Sequence, residues 1–256
     1  MLRGAARAVG ALGGLVRRAR RELRRAVWRV LDYGYVVRLQ VVGALSPRGA
    51  EDFRRQQHPV PPAVVLVPGV YESWHFLRPL AHRLHAAGHA VHVLPALGYN
   101  RGPVDDAARV LGRHLAVHDL RDVVVVAHSK GGLIGKLAML REDPDGRIRC
   151  LVAVGTPFGG SALARYVPLR AVRAFVPTNP LFATLTQEED VNRRIVSAYS
   201  VWDPHIPAGS ELAGARNVVL RTPGHFRVLA DPELARLVDE VVAGAASASP
   251  APPLPR

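Results

Sequence analysis

Cysteine is almost absent from this chain: Cys150 is the only one among 256 residues. A single thiol excludes an internal disulfide and any zinc site built from cysteines. It falls within Ile148-Arg149-Cys150-Leu151-Val152-Ala153-Val154, which reads as a core strand, where a thiol acts as an inert apolar filler rather than a nucleophile. Lysine is nearly as scarce. Lys130 and Lys136 are the whole complement, so the net charge of +13 is carried by arginine. Aromatic residues make up 6% of the chain and do not interleave with the arginines as a base-stacking platform. With no recognised nucleic-acid module either, nucleic acid is not expected as a partner. No internal repeat stands out, and the ordinary aliphatic content argues against wholesale disorder. An uncharged run long enough to cross a bilayer is also missing. Ala26 to Leu45 has the length, but Arg29, Asp32 and Arg38 interrupt it, and each charge costs about 2.5–3.5 kcal/mol at mid-membrane.

The positive charge is unevenly placed. Residues 1–55 hold thirteen arginines against Glu22, Asp32, Glu51 and Asp52, a net +9; the other 201 residues hold 21 basic and 17 acidic side chains. The basicity therefore belongs to an N-terminal extension, although the abundance of Arg, Ala and Gly also fits a GC-rich genome. The weak apolar stretch Ala5 to Val16 precedes the cluster Arg17 to Arg25, the reverse of the order in a secretory signal, so a cytoplasmic chain is expected. Val27, Val30, Leu31 and Tyr35 fall near one face of a helix with arginines on the other, a basic amphipathic pattern. Two readings stay open. The helix lies on an anionic membrane surface, peripheral at the inner leaflet, or it docks on the body with its arginines solvated outward.

Residues 1–50 thus read as a basic helical extension and 51–62, with Pro59, Pro61 and Pro62, as a linker. Beyond it, apolar runs alternate with helical patterns. Strands are expected at Ala63 to Val67, Ala90 to Leu94, Val123 to Ala127, Ile148 to Val154, Ile195 to Val201 and Val218 to Leu220. Helices are expected at His75 to Ala87, Val104 to Val117, Leu133 to Leu140 and Pro232 to Val242. Such alternation implies an α/β domain over 63–245, with a mostly parallel sheet covered on both faces. The Ala, Ser and Pro of 246–256 read as a flexible tail.

The most informative stretch is Val123-Val124-Val125-Val126-Ala127-His128-Ser129-Lys130-Gly131-Gly132. A β-branched strand, one serine between small residues and an ensuing helix make a nucleophile elbow, here A-x-S-x-G rather than G-x-S-x-G. The strained turn leaves no room for large neighbours, and the helix start aims free N–H groups at developing negative charge. A nucleophilic serine also needs a base, an acid to orient it and oxyanion donors. In a parallel sheet these collect at the carboxyl ends of strands. Asp203 follows the strand ending near Val201 and is held by Pro204 and Pro207, which suits an orienting acid better than Asp190, Asp231 or Asp239. Asp231, before Pro232, reads as a helix N-cap. His225, after Thr222-Pro223-Gly224, is the candidate base; His205 lies too near Asp203 on the same loop, and His128 is expected to pack or hydrogen-bond beneath the elbow. The loop Pro68-Gly69-Val70-Tyr71 offers the N–H of Val70, with Tyr71 second, to join the N–H of Lys130 as oxyanion donors.

Together these residues resemble the α/β-hydrolase superfamily, in particular its small lipase-like branch, over about 63–243. Val67-Pro68-Gly69 matches the oxyanion loop, Ala127-His128-Ser129-Lys130-Gly131-Gly132 the elbow, and Gly155-Thr156-Pro157-Phe158-Gly159-Gly160-Ser161 a turn many lipases carry; Asp203 and Gly224-His225-Phe226 complete the set. The resemblance implies an α/β-hydrolase fold with reduced early strands, no cofactor and no metal. It implies carboxylic-ester hydrolysis through an acyl-enzyme on Ser129, with ester or lipid substrates. An acyltransferase using the same triad, or a weakly catalytic binding protein on this fold, is the alternative. The segment about 157–190 lies where relatives insert a cap; it lines an acyl pocket, forms a lid, or simply closes the core. Lys130 departs from the apolar residue usual in lipases. Its cation either favours anionic substrates or sits in solvent above a packed stem.

Overall fold

The computed structural model describes residues 2–45, 49–187 and 189–247. Six parallel strands form one sheet in the order β2-β1-β3-β4-β5-β6. They are β1 Val64–Val67, β2 Val91–Val93, β3 Val123–His128, β4 Ile148–Val154, β5 Ile195–Ser200 and β6 Arg216–Leu220. Each coincides with an expected apolar run to within two residues at either end; the inner strands β1, β3 and β4 are covered on both faces and so are almost continuously apolar, whereas the edge strand β6 is largely exposed and opens on Arg216 and Asn217.

The two-residue period of the strands divides the core. Val65 and Val67 of β1 and Val123, Val125 and Ala127 of β3 face one layer, where they meet α4 Val104–Val117, α5 Lys130–Arg141 and α7 Pro180–Gln187. Val64 and Leu66, with Val124 and Val126, face the other, against α3 Arg78–Ala86 and α8 Pro232–Ser247. The free thiol of Cys150 on β4 is mostly removed from water. Burial pushes it up to about 11, so it stays protonated at neutral pH. The short α6, Arg170–Arg173, lies between β4 and α7. Of the tail expected at 246–256, Ala246 and Ser247 close α8, and the rest lies outside the described residues.

Two N-terminal expectations change. The stretch expected as a linker from 51 begins inside a short helix, α2 Ala50–Arg54, because Phe53 finds apolar cover. Its ring is fully buried, edge-on to Trp74 at 5.9 Å and to His82 at 4.9 Å. The extension itself is one helix, α1 Leu2–Leu45, and of the expected apolar face only Tyr35 turns towards the body. Trp28 meets Trp202 at 5.4 Å, Tyr33 meets Phe226, and Asp32 and Leu39 are buried. Val27, Val30 and Leu31 point to solvent. The helix does dock on the body with its arginines exposed, but Arg24 lies over Trp28 and Arg29 over Trp202 at the rim of the contact, and the apolar stripe is left uncovered as well. Arginine stems and planar guanidiniums pack against indoles, so charge does not bar this face from the interface.

Candidate active site

Ser129 stands between β3 and α5 with φ 52° and ψ −118°. A non-glycine residue at positive φ is held there by its surroundings. The neighbouring residues show why the turn must be small. A Cβ on Gly131 would lie 2.3 Å from the Val67 carbonyl oxygen, and one on Gly132 would lie 2.0 Å from Thr156 Oγ1. The strained turn is clamped by the Ser129 N–H, which donates to Val154 O at 2.8 Å.

The carboxyl ends of β1, β3, β5 and β6 bring the expected residues to one place. His225 Nε2 lies 3.0 Å from Ser129 Oγ, and His225 Nδ1 lies 2.6 Å from Asp203 Oδ2. The second oxygen, Asp203 Oδ1, accepts the N–H groups of His205 at 2.7 Å and Ile206 at 3.1 Å. Burial pushes the Asp203 carboxyl up, but the charge and hydrogen bond of His225 and the His205 N–H outweigh it and hold it at about 2. For His225, complete burial acts downward; the Asp203 charge and hydrogen bond, with the charges of Glu72 and Asp32, overcome it and raise its pKa above the ordinary imidazole value. His205 lies beside it with ring centroids 4.9 Å apart and is pushed down to about 4, first by burial and then by His225. It is neutral, and it does not touch Ser129.

Val70 and Tyr71 line the same cavity as Ser129, and Tyr71 has φ 59°. Among the described residues, the N–H groups of Val70 and Lys130 donate to no protein acceptor. The Gly69 N–H is committed to Glu72 Oε2 at 2.7 Å. The Lys130 side chain takes neither expected course. Its Nζ turns inward to Asn100 O at 2.8 Å, Asn100 Oδ1 at 3.0 Å and Gly102 O at 2.6 Å. Asn100 Nδ2 in turn donates to Pro68 O at 2.7 Å. The ammonium therefore ties the elbow to the oxyanion loop instead of facing substrate or solvent, and burial lowers its pKa to about 8. Carbonyls in need of donors are strong bait for a cation that the turn has already placed in the interior.

Two further acids were not singled out from the sequence. Glu72 is buried, with Oε1 2.8 Å from His128 Nδ1. His128 Nε2 donates to His225 O at 2.9 Å, so a proton must also lie between Nδ1 and the carboxylate. This links the oxyanion loop to the base loop beneath the elbow. Asp32, from α1, is fully buried and accepts three successive N–H groups: His225 at 2.9 Å, Phe226 at 2.9 Å and Arg227 at 2.7 Å. Gly224 makes room, since a Cβ there would lie 2.4 Å from Asp32 Oδ1. Asp231 caps α8, as expected, by accepting the Glu233 N–H at 2.7 Å.

The site opens into a cavity of about 460 Å³. Leu163, Val167, Leu169, Val172 and Phe175 of the cap-like segment form one wall, and Tyr33 of α1 contributes to another. The segment also closes the core through Ala164, Phe175, Phe182 and Leu185, so it is both a pocket wall and packing.

No family model matches the sequence, and no curated protein matches it. Solved structures do. A Bacillus licheniformis lipase in its mature form matches at TM-score 0.58 and 16% identity, covering 73% of this chain and 96% of its own. A Paleococcus ferrophilus monoacylglycerol lipase matches at 0.52 and 16% identity, covering 76% and 97%. A bacterial membrane phospholipase A matches at 0.54 and 16% identity, covering 88% of this chain and 97% of its own. The fold is that of the α/β-hydrolases. Within an α/β-hydrolase sheet, a serine after β3, an acid after β5 and a histidine after β6 occupy the chain order Ser, Asp, His.

Proposed function

We propose that this α/β-hydrolase fold serves a hydrolase of carboxylic esters acting through an acyl-enzyme on Ser129. The observation carrying the reading is the continuous relay from Ser129 Oγ to His225 at 3.0 Å and on to Asp203 at 2.6 Å, opening on an apolar-walled cavity. His225 Nε2 takes the hydroxyl proton as Oγ attacks the acyl carbonyl. The N–H groups of Val70 and Lys130, with Tyr71 as second candidate for the loop donor, hold the oxyanion, each such donor contributing about 2.7–4 kcal/mol at the transition state. The alcohol leaves with the proton from His225. Water, deprotonated by the same nitrogen, then attacks the acyl-serine and releases the acid. Asp203 stays ionised throughout and stabilises the imidazolium.

The lipase and phospholipase names of the fold neighbours support ester or lipid substrates. The test is labelling of the full chain with a fluorophosphonate probe beside Ser129→Ala, followed by an acyl-chain-length series. Labelling confined to the chain with Ser129 is expected; an unlabelled wild type, where a known esterase reacts, would sink the assignment.

A second reading concerns where the enzyme works. Leu23, Val30 and Val37 on the outer face of α1 are 68%, 71% and 63% exposed, and Val16, Val27 and Val41 extend the same stripe. By helical spacing Arg20 and Arg38 fall along its edge. No helix among the described residues is long and apolar enough to cross a membrane. An apolar stripe edged by arginines instead suits an anionic lipid surface, with α1 lying in the interface plane. Sedimentation with anionic but not zwitterionic vesicles, weakened by salt, is the expected result; binding to neither, or equally to both, would end this reading.

A further inference from the structure

Three histidines that the ester chemistry does not use converge at the edge of the sheet. His92 sits on the edge strand β2, and His114 and His118 lie four residues apart at the C-terminal end of α4, on one helical face. One nitrogen from each ring lies within 4.8 Å of the other two, and His92 Nδ1 is 3.1 Å from His114 Nε2. None of the three lines the substrate cavity. Their surroundings are unusual for imidazoles stacked only for packing. His92 Nδ1 and His114 Nε2 face each other directly, so one proton is shared between two ring nitrogens. A cation already approaches the cluster: Arg54 Nη1 lies 3.1 Å from His118 Nδ1, and the same guanidinium is paired with Glu51.

We infer that His92, His114 and His118 form a binding site for a divalent late first-row metal ion, with Zn²⁺ the best chemical fit, that staples β2 to α4. Imidazole nitrogens suit zinc, which holds such ligands at about 2.0–2.1 Å in a tetrahedron. Ligand nitrogens in that geometry are about 3.4 Å apart. The His92–His114 pair is already near that spacing, and ring rotation of His118 closes the rest. Arg54 occupies the open side; its side chain is 36% exposed and can swing to solvent when a dication takes its place. Glu51, released from Arg54, is then the carboxylate on hand for the fourth position.

The experiment uses the untagged full chain, stripped with a chelator and titrated with Zn²⁺ alone by calorimetry. One ion per chain with micromolar or tighter Kd is expected, and a hundredfold excess over Kd raises Tm by about 5–10 °C. Co²⁺ in place of zinc should give the intense visible absorption of four-coordinate cobalt. His114→Gln and His118→Gln should each weaken zinc binding at least tenfold with the far-UV spectrum unchanged. Arg54→Gln should tighten it, because it removes a competing cation. No binding at micromolar zinc, or equal binding by wild type and the His114→Gln/His118→Gln double variant, overturns the site. Failure of Arg54→Gln to bind at all does so too. Ester hydrolysis is not the readout, so this result stands apart from the fate of Ser129.

Discussion

The two halves of the candidate active site are held by different means. Ser129, the proposed nucleophile, is fixed by its own neighbourhood: β3, the turn and α5 follow one another within twenty residues, and Gly131 and Gly132 fit because Val67 and Thr156 press on them. The proposed base is fixed from far away. His225 sits on a loop after β6 whose N–H groups are gathered by Asp32, 193 residues earlier, and whose carbonyl is held by His128. One half is a local motif and the other a long-range assembly. A local motif survives most distant changes, whereas an assembly fails wherever one of its partners is removed.

Variants can break or sharpen this contrast. The largest effect is expected at the relay itself. Asp203→Asn, which keeps the shape but removes the charge opposing the imidazolium, should lower kcat by about 10⁴, as in triads generally, with the fold intact by circular dichroism. Next comes the distant partner. Asp32→Ala leaves three buried N–H groups without an acceptor, so stability should fall by about 2–4 kcal/mol, read by urea denaturation. Its kcat should also drop about 10- to 100-fold, while fluorophosphonate labelling slows without disappearing. An Asp32→Ala enzyme with unchanged kcat would show that the base loop holds itself.

A third test is the pH profile. His225 must be neutral to accept the Ser129 proton, and its pKa is raised, so kcat/KM should fall about tenfold per pH unit on an acid limb whose midpoint lies above the ordinary imidazole value. Weakening the acidic surroundings with Asp32→Asn should move that midpoint down. Asp203 adds a separate stability effect. Its folded pKa of about 2 lies below the unfolded value, so its stabilisation is present above about pH 4 and is lost as pH falls towards 2. The smallest effect is expected for Lys130→Met. It leaves the backbone oxyanion donor in place but frees the Asn100 and Gly102 carbonyls, so kcat should fall only a few-fold and Tm by a few degrees.

The same contrast explains what the sequence revealed. Strands buried on both faces must be continuously apolar, so β1, β3 and β4 were legible from composition alone. Ser129 was legible because the elbow constrains five adjacent residues at once. Asp203 and His225 were legible because parallel sheets deliver chemistry at strand ends, and the acid and the histidine followed β5 and β6. Asp32 was not, since nothing in a basic helix marks one aspartate as the acceptor for a loop near the far end of the chain. Glu72 and Asn100 were hidden similarly: their partners, His128 and Lys130, are set by folding rather than by spacing. The inward turn of Lys130 escaped because a lysine beside a catalytic serine reads as an electrostatic device until the carbonyls that capture it are seen. For the histidines the four-residue spacing of His114 and His118 was visible, but it acquires meaning only when β2 brings His92 against it.

Tyr33 stands one residue from Asp32 and borders the cavity beside Ser129, so α1 both anchors the His225 loop and walls that cavity. Turnover therefore becomes a gauge of helix docking. Whatever loosens the helix, whether a pulling force or a competing ligand for its inner face, should silence the proposed hydrolase while every residue of the relay stays chemically intact.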